Sequence, residues 1–207
     1  MLETFANMES VTLWAFMAAS LVMYLTPGAD MMFTIASGIA GGPKAGFAAT
    51  VGVTLGLLMH ITLAAAGLAV VIAASPTALL VIRYAGAAYL LVLAWQSWRA
   101  LPPSEETDGR ANVARALRRG FLTNMMNPKI ILFILAFLPQ FTTPEAGPIW
   151  HQIAILGLMF SAGGFVVVSM IGLSAGLVGA KLKKATGVLN KCASIIFGGL
   201  AAKLVFD

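Results

Sequence analysis

The sequence predicts an all-α, polytopic membrane bundle: six transmembrane helices in a 3+3 inverted repeat, with the first and fourth helices broken. Three observations carry that prediction. Of 207 residues, 59% are hydrophobic and 10% charged, with mean hydropathy +0.91. A soluble domain carries roughly a quarter charged residues, so this chain has little polar surface to offer water. Apolar stretches near the length that crosses a bilayer, about 20 residues, recur along the chain. Within two of them a proline is followed by a charge: Pro27 by Asp30, and Pro128 by Lys129.

The expected spans are 11–37, 46–74, 78–98, 120–141, 149–178 and 187–206. The first holds Thr26-Pro27-Gly28-Ala29-Asp30 and closes on Gly38-Ile39-Ala40-Gly41-Gly42-Pro43, a turn and hinge signal. The second begins a stretch with no Asp, Glu, Lys or Arg between Lys44 and Arg83, which Ser75-Pro76 divides into two crossings. The third ends at Trp95 and Trp98, read as interfacial belt residues, as is Trp150 at the edge of the fifth. The fourth holds Asn127-Pro128-Lys129. The fifth is free of acids and bases between Glu145 and Lys181. In the sixth, Lys191 and Lys203 must snorkel toward opposite surfaces. Gly52-x-x-x-Gly56, Gly172-x-x-x-Gly176 and Gly163-Gly164 read as close helix contacts.

Basic residues alternate across the connections. Lys44 lies in the first, Arg99, Arg110, Arg115, Arg118 and Arg119 in the third, and Lys181, Lys183, Lys184 and Lys191 in the fifth. The second and fourth carry none. The positive-inside rule then puts connections one, three and five in the cytoplasm and both termini outside, in a bacterial inner membrane. The hydrophilic stretch 102–119 divides one transmembrane domain, 1–207, into three-span repeats at 1–101 and 120–207. Three spans per half means that the second half enters from the opposite side.

Each proline break reads as a helix N-cap followed by Pro at the first helical position: Thr26-Pro27 and Asn127-Pro128. A half-helix restarting inside the membrane leaves free amide donors and a positive dipole end, where an anionic group can bind. Gly28 allows close approach by a substrate. Asp30 falls in the first turn of the restarted helix. A charge at the bilayer centre costs about 2.5–3.5 kcal/mol on insertion scales, so Asp30 is expected to face a wet interior as a candidate proton carrier. The alternative is that it satisfies its own helix end. Lys129 either pairs with Asp30 or flanks a cavity with it, or snorkels to the cytoplasmic boundary.

His60 is a proton relay or a hydrogen bond to a neighbouring helix. Asn124 lies one turn before Asn127, so the pair contacts substrate or satisfies the backbone groups freed by Pro128. Gln140 lines an exit path or ends its helix. Cys192 is the single cysteine, which excludes an intrachain disulfide, a Cys-x-x-Cys pair and a cysteine metal site. The eleven Met residues show no metal-ligand pattern, and no cofactor is implied. No basic and aromatic stripe points to nucleic acid. No Gly-x-x-x-x-Gly-Lys loop points to ATP. Glu3 and Glu9 stand where a signal peptide has bases, so the first span is expected to be retained.

Pro27-Gly28-Ala29-Asp30, the stretch Tyr84 to Leu90, Asn127-Pro128-Lys129 and Pro139-Gln140-Phe141, in that order along the chain, resemble the LysE/RhtB family of amino-acid exporters. The resemblance implies export of amino acids or close derivatives, such as threonine, homoserine or its lactone, driven by the proton gradient. Ala29 stands where that family often has a second Pro. Combined with the residues, this gives a proton-coupled antiporter working by alternating access, with a small-molecule substrate, protons and the lipid bilayer as its partners. A homodimer is compatible with so small a bundle. The alternatives are a passive small-solute channel and an intramembrane enzyme or redox-transfer protein. A channel needs polar residues spread along a pore, and neither His60 nor His151 has a nucleophile motif beside it.

Overall fold

The computed structural model describes residues 1–74 and 113–206 and scattered positions between 81 and 99; beyond residue 175 it describes side chains at a few positions only. The described residues are helical, without a strand. In order they form α1 (Leu2–Asn7), α2 (Ser10–Leu25), α3 (Ala29–Ala74), α4 (Val113–Met125), α5 (Pro128–Phe137), two 3-10 turns (Leu138–Phe141 and Pro144–Ala146) and α6 (Ile149–Phe206). Ala29–Gly67 and Ile149–Ala175 are each long and apolar enough to cross a membrane, and the bent pair Val113–Met125 with Lys129–Phe141 adds a third if taken as one span. The expected third span lies mostly outside the described residues. Where described, Trp95 and Trp98 are exposed, and the Arg99 guanidinium lies 4.1 Å from the Trp95 ring centre.

Both expected breaks are present, with one correction. Pro27 forces Thr26 out of the helical region, to φ −74° and ψ 116°. Thr26 therefore closes α2 and does not open α3. Its amide and its hydroxyl both donate back to the Val22 carbonyl, at 2.9 and 2.7 Å. The restart comes two residues later than the Thr-Pro pattern suggested: the Gly28 carbonyl accepts from Met32 N at 2.9 Å, and α3 begins at Ala29. The second break follows the expected form. Asn127 is the N-cap of α5, its Oδ1 accepting from the Lys129 amide at 3.0 Å, with Pro128 at the helix start. α4 and α5 meet there at a 50° bend.

A further break divides α3. Gly42 has φ 74°, a left-handed value natural to glycine, and Pro43 behind it has no amide to donate. The hinge signal at Gly38–Pro43 thus becomes a kink, leaving a short first segment, residues 29–41, and a long second one. α6 shows the opposite behaviour. The expected fifth and sixth spans run on as one helix through Lys181–Lys184, a stretch with no proline after Pro148 to interrupt it.

Small residues bring the helices together. A side chain on Gly52 would collide with the Leu117 carbonyl of α4, and one on Gly120 with the Ala49 carbonyl of α3. Gly38 and Gly46 meet the Gly172 carbonyl of α6 in the same way. With little hydrophobic drive between helices in lipid, such close backbone approach supplies the packing. The largest core cluster is aromatic: the Phe133 ring lies 4.6 Å from Phe137 and 4.7 Å from Phe160, and Phe16 lies 5.2 Å from Phe141.

Candidate functional site

The two proline breaks abut. Lys129, in the first turn of α5, sends its side chain across to the α2–α3 break. There Nζ donates to the Thr26 carbonyl at 2.8 Å and the Met23 carbonyl at 3.3 Å. These carbonyls end α2 and have no helical amide ahead of them, so a cation completes the helix end and suits its dipole. The lysine stem passes over Gly28, where a Cβ would stand 3.2 Å from Lys129 Cδ. Any larger residue there would crowd the lysine stem. Lys129 is 8% exposed, so it does not snorkel, and among the described residues no ion pair joins it to Asp30.

Asp30 stands in the first turn of α3, 8% exposed. Its Oδ2 accepts from Asn124 Nδ2 at 2.8 Å, while Oδ1 is buried without a partner. Asn124, near the end of α4, is fully buried, and its backbone carbonyl accepts from His60 Nε2 at 3.3 Å. These groups face one shared, partly open cavity. Its polar end carries Thr26, Asp30, Asn124, Asn127 and Lys129, and its apolar wall carries Met23, Met31, Leu57, Ile130 and Phe160. That balance, a mostly apolar recess with a few convergent polar groups, is the usual form of a small-molecule site. Among the described residues no cluster of His, Cys, Asp and Glu could hold a metal ion.

Of the residues singled out in the sequence, Gly28, Asp30, Asn124, Asn127 and Lys129 line this cavity together. Pro27 and Pro128 contribute through the backbone, by making the breaks. His60 stands behind the wall as a hydrogen bond to a neighbouring helix, the plainer of its two readings. Gln140 is elsewhere: it donates to the Ala136 carbonyl at 3.0 Å and lines a second recess with Glu9, Thr12, Thr142 and Gln152.

Tyr24 was missed. It lines the cavity, donates to the Phe160 carbonyl at 2.7 Å and lies flat against Gly163 and Gly164. The signals were a phenol needing a partner one turn before Pro27, and a glycine pair able to receive its ring. Gln152 was missed too. Fully buried, it binds the 142–148 loop through Thr143 N, Thr143 O and Gly147 O, at 3.0, 2.7 and 2.8 Å. A lone amide inside an apolar run was its only mark.

The LysE type translocator family matches residues 21–207. A leucine efflux protein of Klebsiella pneumoniae is 32% identical over 206 residues, covering 97% of each chain. A homoserine/homoserine lactone efflux protein of Salmonella typhimurium is 32% identical over 191 residues, 89% of this chain and 91% of the relative. An uncharacterized membrane protein of Vibrio cholerae is 34% identical over 146 residues, covering 70% and 71%. No solved structure matches.

Proposed function

Because the chain belongs to the LysE type translocator family, we propose that it is a secondary exporter of amino acids or close derivatives across the bacterial inner membrane. One observation carries the reading: two interrupted helices meet around a single buried cavity that holds an unshared carboxylate oxygen. Discontinuous helices facing each other at mid-membrane are the usual construction of an alternating-access site. Relatives named for leucine and for homoserine and its lactone support an amino-acid substrate. The apolar wall favours a small neutral one.

Asp30 Oδ1 receives the substrate ammonium in this reading. Lys129 has three donors and gives two to backbone carbonyls, which leaves one for the substrate carboxylate. A proton and an ammonium then compete for one oxygen. Arriving from outside, a proton neutralises Asp30 and releases the amino acid; carried inward and lost, it frees Asp30 to reload. Exchange of one for the other is antiport.

The six-span, inverted-repeat arrangement belongs to the same proposal. The Gly42–Pro43 kink supports it, since it divides α3 between the expected first and second spans. At 1.5 Å per residue, α6 runs to about 87 Å against a hydrocarbon core of about 30 Å, longer than one crossing, and the arrangement requires it to turn near Lys181–Lys184 in the bilayer.

The test is amino-acid transport by protein reconstituted in liposomes under an imposed pH difference. Asp30→Asn is expected to lower gradient-driven accumulation by roughly an order of magnitude or more, as loss of an intramembrane carrier group should. Accumulation at the wild-type rate would refute the role of Asp30.

A further inference from the structure

Beyond the cavity, the first segment of α3 continues as a buried polar stripe. Asp30, Thr34 and Ser37 share one helical face and are 8%, 0% and 6% exposed. This face packs on α6: a side chain on Gly172 would strike Thr34, and one on Gly38 would strike the Gly172 carbonyl and then the Ala175 side chain. On α6, Phe165 and Val168 line the cavity. Ser169 and Gly172 follow on the same side, one helical turn at a time. Both stripes therefore run from the cavity toward Gly42 and the exposed Lys44.

Hydroxyls here differ from four threonines elsewhere among the described residues. Thr26, Thr50, Thr54 and Thr62 each donate to the carbonyl four residues back. Thr34 Oγ1 and Ser169 Oγ have no partner. Among the described residues five buried side-chain polar atoms are unpartnered, and four of them lie on or beside this strip: Asp30 Oδ1, Asn124 Oδ1, Thr34 Oγ1 and Ser169 Oγ. Buried polar groups without partners are uncommon, and several along one strip call for a role beyond packing. Valine in place of Thr34 and alanine in place of Ser169 would fill much the same space without the cost of an unpartnered hydroxyl.

We propose that Thr34 and Ser169 form a proton path between Asp30 and the Gly42–Lys44 end of the molecule. The inference rests on the proton-coupled reading above and extends it to one side of the membrane. A hydroxyl oxygen accepts a proton on a lone pair and releases its own from the other side, so no charge settles on Thr34 or Ser169. Two breaks, Pro27–Gly28 and Gly42–Pro43, bound the segment that carries the stripe. A small cluster of Met31, Ile35 and Ala175, separate from the aromatic core, holds it to α6. Slight displacement of this segment admits the waters that join one hydroxyl to the next. The other titratable groups near Asp30 or facing its cavity are Tyr24 on α2, Lys129 on α5 and His60 on α3, and all three are turned to backbone carbonyls.

Two assays on the reconstituted full chain separate the path from the site: accumulation driven by a pH difference, and substrate counterflow at equal pH, which needs no net proton movement. Thr34→Val and Ser169→Ala are expected to slow gradient-driven accumulation several-fold while counterflow keeps its wild-type rate, and Thr34→Ser restores the loss. Wild-type gradient-driven rates in both Thr34→Val and Ser169→Ala would overturn the path and leave the function of Asp30 standing. Equal loss in both assays would mean packing, and overturns it as well. A wild-type protein that ignores the pH difference would sink the coupling and the path together.

Discussion

Lys129 carries a charge into a buried site, and what it touches decides what its removal does. Two carbonyls at the end of α2 depend on Nζ, and both lie where water is scarce. In Lys129→Met each loses its charged donor, and leaving a buried polar group unsatisfied costs roughly 1–3 kcal/mol. The thermal midpoint of the purified protein in detergent is therefore expected to fall by several degrees, with Lys129→Arg intermediate because a planar fork does not reproduce a point donor. An unchanged midpoint in Lys129→Met would mean that the α2 end is satisfied by other means. The sequence left Lys129 between pairing, flanking and snorkelling, because its partner carbonyls are 103 and 106 positions away and carry no mark of residue type. Asp30 was different. A carboxylate just past a membrane proline has few bland explanations, and its place in the first turn of a restarted helix follows from local chemistry alone.

At the scale of elements, the breaks were legible and the contacts across them were not. Proline excludes its predecessor from the helix, and an Asn before Pro makes a cap, so both interruptions are written in five or fewer residues. The bond from Asn124 to Asp30 spans 94 positions and exists only because α4 lies against α3. That contact is set by glycines whose spacing was readable but whose partners were not. Gly52 backs onto the Leu117 carbonyl, whereas Gly67, on the same helix, has open space where a side chain would go. Gly52→Leu should force α4 away from α3 and pull Asn124 off Asp30, at a cost of at least about 1–3 kcal/mol for overpacking. Gly67→Leu should be tolerated. Yield of monodisperse protein and its thermal midpoint compare the two, and equal behaviour would dismiss the glycine seam as an ordering element. The continuous α6 had no such legible cue: lysines predicted a turn by charge, yet nothing in the stretch is barred from a helix.

For the molecule as a whole, charge and packing assign its two ends. Ala45 and Ala48 cluster with Ala116, which brings Lys44 and Arg115 to the same end, with Arg118 and Arg119 on the same helix as Arg115. Thr4 is bonded to His151 at 3.0 Å and packs on Gly147, which gathers Glu3, Glu9 and Glu145 at the other. Between the central cavity and the recess at that acidic end stand Phe16, Phe133, Phe137 and Leu138, all buried in one cluster, so the cavity is shut off in that direction. An exporter that releases substrate outward needs this block to yield, and needs to know which end is outside. The positive-inside rule answers that the Lys44–Arg115 end is cytoplasmic. In a Cys192→Ser background, Glu145→Cys should react with a membrane-impermeant maleimide on intact spheroplasts, and Arg115→Cys only after the membrane is opened. Both residues are exposed, so access and not burial governs the result. The reverse pattern would invert the molecule, make the aromatic block the cytoplasmic closure and send the Thr34–Ser169 strip to the outer face.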